Sequence, residues 1–209
     1  NGIVQPRTRH TPNAKRTYAG SVLANSERGL VTRPVFEPAP YPALYNTIYA
    51  MRREVYDSIQ GWPLLPGIWG GSEQAMSLLA WSLGVPIEIE ESALGVHYLY
   101  QKERRFPYSV PPNDFAKNVH YVHAAFFPQT YKQYWQPIIA NHFGKNPEHT
   151  ESIKTKQFKD FSGFVVKHRR RTEREFYAEV LNETPPAEIA DDFERQQRSR
   201  ATPKLHPEA

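Results

Sequence analysis

Hydrophobic positions along the chain change their spacing several times, and each change marks an element. In residues 1–45 short apolar pieces (Ile3-Val4, Tyr18 to Leu23, Leu30-Val31) alternate with Pro, Asn, Gly and Arg, which predicts strands and loops without a helix. Pro34, Pro38, Pro40 and Pro42 require an extended run, because proline fixes φ and drives its predecessor out of the helical region. Met51, Val55 and Ile59 then recur at every fourth position, which predicts a short amphipathic helix over 51–59 that ends before Gly61. After Trp69-Gly70-Gly71, the residues Met76, Leu79, Ala80 and Leu83 follow the helical period through 73–83. Ser72 is placed to cap the start of that helix and Gly84 to close its end.

Val85 to Glu90 alternates apolar and polar residues, as a half-buried strand does, with Glu88 and Glu90 on the exposed face and Glu91 following. Gly95 to Tyr100 predicts a second short strand, and Gln101 to Tyr108 a basic, aromatic loop. Phe115, Val119, Val122 and Phe126 mark a further helix. Tyr131, Tyr134, Trp135 and Ile138 mark the next, which Pro137 is expected to kink or shorten. From residue 145 apolar positions thin out, leaving one expected helix through Phe176, Tyr177, Val180 and Leu181 before a Pro- and charge-rich end at 184–209. The expected organisation is an α/β portion over 1–143 and a helical or extended basic tail over 144–209.

Composition narrows the chemistry. With 209 residues, 39% hydrophobic and 23% charged, one globular domain with a tail is expected, and 19 Pro against 11 Gly implies rigid loops. A formal charge of +4 and a pI near 9.2 suit an anionic ligand, a nucleotide diphosphate or a nucleic acid, without choosing between them. The absence of Cys excludes disulfides, thiolate metal sites and cysteine nucleophiles. It is compatible with a cytoplasmic location, the expectation adopted, and leaves any metal to His, Asp or Glu. No run of about 18 apolar residues predicts a membrane span, and the start at Asn1 suggests a chain that begins inside a longer product.

The order helix, Trp-Gly-Gly loop, helix, strand, Gly-x-His and basic loop resembles the acceptor-side segment of GT-A fold glycosyltransferases over roughly residues 46–143. The similarity is to the inverting family 2 enzymes and the polypeptide N-acetylgalactosaminyltransferases. It rests on Met51 to Trp62, Trp69-Gly70-Gly71-Ser72-Glu73, Met76-Ser77, Trp81, Gly84 and the segment Pro107-Tyr108-Ser109-Val110-Pro111. The resemblance implies the C-terminal part of a Rossmann-like α/β domain that moves a sugar from a nucleotide-sugar donor to a hydroxyl acceptor. It implies Glu73 as base or acceptor contact, with Trp69, Gly70, Gly71 and Ser72 lining the sugar site. It also implies His97 as a ligand of a divalent metal, Mn²⁺ or Mg²⁺, Lys102, Arg104 and Arg105 as contacts to the diphosphate, and Tyr108 as a further substrate-binding residue.

This chain departs from the family pattern in two places. Ser72-Glu73 replaces the usual Glu-(Asp/Asn) pair, which leaves inversion or retention open, and His97 follows Gly95 at an offset of one residue. No Asp-x-Asp or Asp-x-His and no Gly-rich βαβ turn precede residue 46, so the donor-binding half is expected upstream or on another chain.

Other readings stand beside this one. Glu73 also suits a favourable first-turn charge, and His97 a packed histidine. His120 and His123 share a helix face at a metal-ligand spacing, but no acid accompanies them. Lys167-His168-Arg169-Arg170-Arg171 forms a compact basic patch. Through it, a non-catalytic subunit derived from a glycosyltransferase would hold protein or nucleic acid.

Overall fold

The parallel pairing of two distant strands sets the architecture. The structure is a computed structural model and describes residues 2–9, 15–45, 48–96, 111 and 113–186. Strand β1 (Ile3–Arg9) lies between β4 (Ala50–Met51), which runs antiparallel to it, and β5 (Ile87–Val96), which runs parallel. A parallel neighbour requires a crossover, and helices α1 (Arg53–Ser58) and α2 (Ser72–Leu83) lie within it. A separate antiparallel hairpin joins β2 (Gly20–Ala24) to β3 (Val31–Val35). The result is a mixed α/β fold with small sheets.

The strand expected within Val85 to Glu90 begins at Ile87 and keeps its alternation, Ile87 and Ile89 half-buried and Glu88 and Glu90 exposed. It does not stop there: β5 continues to Val96 through a bulge, where its register with β1 jumps from Pro6↔Glu90 to Arg7↔Leu94. Glu90 Oε1 accepts hydrogen bonds from the backbone N–H and hydroxyl of Ser92 inside that bulge.

Helix α2 is buried over nine consecutive positions, Ala75 to Leu83. The sequence suggests a single apolar face, but β3, α3 (Asp114–Phe126) and α6 (Lys156–His168) all pack on α2, so its small and hydroxyl residues are enclosed too. Of the two enclosed serines, Ser77 and Ser82, the first is paired on both sides: its Oγ donates to Glu73 O (2.6 Å) and accepts Leu44 N–H (2.8 Å). Gly84 ends the helix in the left-handed region, φ 71°, as expected.

The helix expected around Tyr131 to Ile138 is two pieces. A wide π turn, Tyr131–Trp135, leads into α4 (Gln136–Phe143). Pro137 lies in the first turn of α4, where its missing N–H costs nothing, so it begins a helix rather than kinking one.

Beyond residue 143 come α5 (Glu148–Glu151), a 3₁₀ turn at Ser152–Lys154, α6, α7 (Glu173–Glu175) and a π turn at Phe176–Leu181. Thr155 caps α6 by accepting Phe158 N–H (3.2 Å). Phe158 and Phe161 of α6 pack on Tyr121, and Phe161 also meets Phe126. Val165, Phe176 and Tyr177 are fully buried in the same core cluster as α2 and α3.

Buried polar groups tie these layers together. Glu173, with no exposed surface, accepts the Gln129 and Thr130 N–H groups and the Thr130 hydroxyl, and Arg169 stands 3.8 Å away. Burial raises the Glu173 carboxyl while Arg169 and the hydrogen bonds pull it down. His123 donates from Nδ1 to Val119 O (2.7 Å) and accepts Leu30 N–H at Nε2 (2.9 Å), which fixes the β2–β3 connection to α3. Both ring nitrogens are used by the fold, so His123 is a structural residue. No helix among the described residues is long and apolar enough to cross a membrane.

Burial lowers His123 to about 4, with the Val119 hydrogen bond opposing and His120 adding to the shift. A folded pKa below the unfolded one means that stability is complete above the ordinary histidine range and is lost as pH falls towards 4. The expected loss from His123 is about 3 kcal/mol. Thermal unfolding followed from pH 7 to pH 4 should show a steep decline in the native protein. In His123→Gln, which keeps an acceptor for Leu30, the decline should be shallower.

Candidate functional site

The Trp-Gly-Gly segment is held by one helix. Asn118 of α3 accepts Gly67 N–H at Oδ1 (2.7 Å), and its Nδ2 lies 3.1, 3.0 and 2.7 Å from the carbonyl oxygens of Gly67, Trp69 and Gly70. Asp114, one turn earlier, accepts Ile68 N–H at Oδ2 (2.8 Å). A side-chain amide therefore does for this loop what a neighbouring strand does for an extended segment: it satisfies the backbone groups that a tight loop leaves unpaired.

That close approach explains the glycines. Gly70 has φ +81°, and a Cβ there would lie 2.1 Å from Phe115 Cδ2. The space opened by Gly70 is filled by the protein's own ring, so the fold alone is enough to require glycine at this position. Gly71, φ 82°, is the residue that precedes α2, and it brings the helix out of the loop. Ser72 is consequently the first helical residue and not the cap: no side-chain cap is present, and its hydroxyl donates to Glu73 Oε2 (3.0 Å).

Glu73 lies half-buried in the first turn of α2, where the field of the helix favours a negative charge. Tyr49, next to the short edge strand β4, stacks on Trp62 with ring centroids 5.3 Å apart. Its phenol is pushed upward by burial first and by the charge of Glu73 second, so Tyr49 is within electrostatic reach of the carboxylate and stays protonated. Trp69 is 44% exposed, one side against Phe115 (5.8 Å), and Leu64 and Ile68 are exposed in the same loop. The structure thus brings Trp69, Gly70, Gly71, Ser72 and Glu73 into one locally braced element, with a carboxylate and an accessible indole at its surface. Tyr49, Asp114 and Asn118 belong to it as well. The sequence carries no local signal for them, because they come from segments 20 to 50 residues away.

His97, Lys102, Arg104, Arg105 and Tyr108 lie outside the described residues. Among the described residues no group of three or more His, Cys, Asp or Glu is disposed to hold a metal ion. His120, the partner of His123 in spacing, directs Nδ1 to Tyr131 OH (2.8 Å).

The basic run at 167–171 is divided between the fold and solvent. The Arg169 side chain is buried beside Glu173, and Arg171 lies over the rings of Tyr41 and Trp81 at 5.6 and 5.4 Å. Lys167, His168 and Arg170 remain exposed. Two of the three arginines of the patch therefore act in packing.

Compared with known protein-family models and with curated proteins, the chain matches none.

Replacing Gly70 by Ala is expected to destabilise the domain by about 2–4 kcal/mol, from positive φ and from overlap with Phe115. Chemical denaturation of Gly70→Ala, Phe115→Ala and the double variant checks this. The second substitution should recover the steric part of the loss, leaving a coupling of about 1 kcal/mol or more.

Proposed function

We propose that the chain is the acceptor-side portion of a GT-A fold glycosyltransferase, which moves a sugar from a nucleotide-sugar donor to a hydroxyl acceptor. The observation that carries this reading is the braced Trp69–Glu73 element. A carboxylate stands at a helix start, and an exposed indole stands four residues before it, on a loop whose backbone is fixed by Asn118. Preorganisation of this kind suits a site that must hold an acceptor hydroxyl against a base.

In this reading Glu73 takes the proton of the acceptor hydroxyl. Ser72 holds one carboxylate oxygen in place, and Tyr49, within electrostatic reach, stays protonated. The exposed face of Trp69 supports the sugar ring. The donor is bound by a nucleotide-binding half on other residues, to which Lys102, Arg104 and Arg105 add contacts to the diphosphate, with Tyr108 as a further substrate-binding residue. The divalent metal that neutralises a leaving diphosphate would take His97 as one ligand and draw the others from that half.

The test is turnover of nucleotide-sugar donors by the protein that carries this chain, with Mn²⁺, with Mg²⁺ and with chelator. Glu73→Gln is expected to lower kcat by ~10²–10⁴-fold with little change in donor KM. Its stability should stay within about 0.5 kcal/mol of the native protein. Failure of the native protein to bind any nucleoside diphosphate sinks the reading, as does full activity in Glu73→Gln.

A further inference from the structure

A pocket opens beside His120 of α3, between the π turn, α4 and the start of α5. It is an open cleft of about 450 Å³. His120 lines it, with Lys132 from the π turn and Lys145 and Asn146 from the connection that follows α4, while Pro137 and Ala140 form an apolar wall.

His120 is 2% exposed. The buried Tyr131 hydroxyl has only His120 Nδ1 as a partner among the described residues. A phenol in that position donates, so Nδ1 accepts and the proton of the neutral ring resides on Nε2. Nε2 makes no hydrogen bond among the described residues, which leaves a donor on a nearly buried ring that lines the cavity. Burial first and the neighbouring His149 second hold His120 down at about 4, so the ring is uncharged at neutral pH.

The positive charge comes from the lysines. Neither Lys132 nor Lys145 forms an ion pair among the described residues, and no carboxylate lines the cavity. Of the nearby acids, Glu148 accepts from Asn113 and Glu151 pairs with Lys154. Asn146 accepts Glu148 N–H at Oδ1 (3.0 Å), so the amide plane is set and Nδ2 is left as a donor. Two lysine cations, an imidazole N–H and an amide N–H line this pocket, and the side-chain acceptors beside them, on Gln136 and Thr150, are neutral. That donor set repels a metal ion and matches a tetrahedral dianion, whose oxygens accept from several directions.

We propose that this pocket binds a phosphate group, carried by a small phosphate ester whose organic part lies on the Pro137–Ala140 wall or present as the free ion. It is independent of the sugar-transfer reading, since it shares no side chain with the Trp69–Glu73 element.

The experiment follows the His120 ring signals by NMR in the full chain during titration with inorganic phosphate, and separately with glycerol 3-phosphate, at constant ionic strength. The expected result is a saturable shift with a dissociation constant of roughly 1 mM or tighter. Affinity should fall at least ~10-fold in the exposed double variant Lys132→Ala/Lys145→Ala. Tighter binding of glycerol 3-phosphate assigns the site to an ester, and equal or tighter binding of inorganic phosphate assigns it to the free ion. A linear shift that chloride reproduces overturns the proposal, and so does unchanged affinity in the double variant.

Discussion

Desolvation of the polar side chains on α3 is the constraint to which the rest of the domain is fitted. Eleven of its thirteen residues are buried, among them Asp114, Asn118, His120 and His123. A buried polar group without a partner costs about 1–3 kcal/mol, so each of these has to draw in a piece of backbone or a side chain from elsewhere. Asp114 and Asn118 hold the 67–71 loop, His123 holds Leu30 and so the β2–β3 hairpin, and His120 holds Tyr131 at the entry to the π turn. The apolar positions between them take α2 on one side and the aromatic face of α6 on the other.

Both candidate sites are consequences of that arrangement. The Trp69–Glu73 element is rigid because Asn118 pairs its carbonyls and Phe115 fills the space above Gly70. The pocket around His120 exists because the same helix turns a histidine towards the π turn, which bulges where Pro137 starts a new helix. One buried helix thus positions both a loop with a carboxylate and a cluster of donors. Substitutions in α3 are expected to reach both, whereas changes at Glu73 or at the two lysines stay local.

Much of the element order was legible from residue spacing. The period of Met76 to Leu83 and the stop at Gly84, the alternation of Ile87 to Glu90, and the period of Phe115 to Phe126 depend on local backbone geometry, which neighbouring residues set. Helix α6 carried a readable signal too, with Thr155 at the cap and Phe158, Phe161 and Val165 on one face. Charged residues fill its remaining positions, which fits the expected helical or extended basic tail, and a helix needs only one apolar face to join a core. Ser72 is the first helical residue rather than the cap because Gly71, in the left-handed region, takes the cap position.

The sequence by itself therefore determined the main periodic elements and a Trp-Gly-Gly loop leading into a helix, because periodicity and glycine chemistry act within a few residues. Only the tertiary structure decided why the glycines are required, that Tyr49 and Asn118 belong to that site, and that Arg169 and Arg171 are packing residues. It alone also decided that His120 faces a lysine-lined pocket while His123, three residues on, is sealed in the core. Those outcomes depend on which buried donor meets which acceptor across long separations, and the desolvation cost that selects the pairing exists only once the layers have closed over α3.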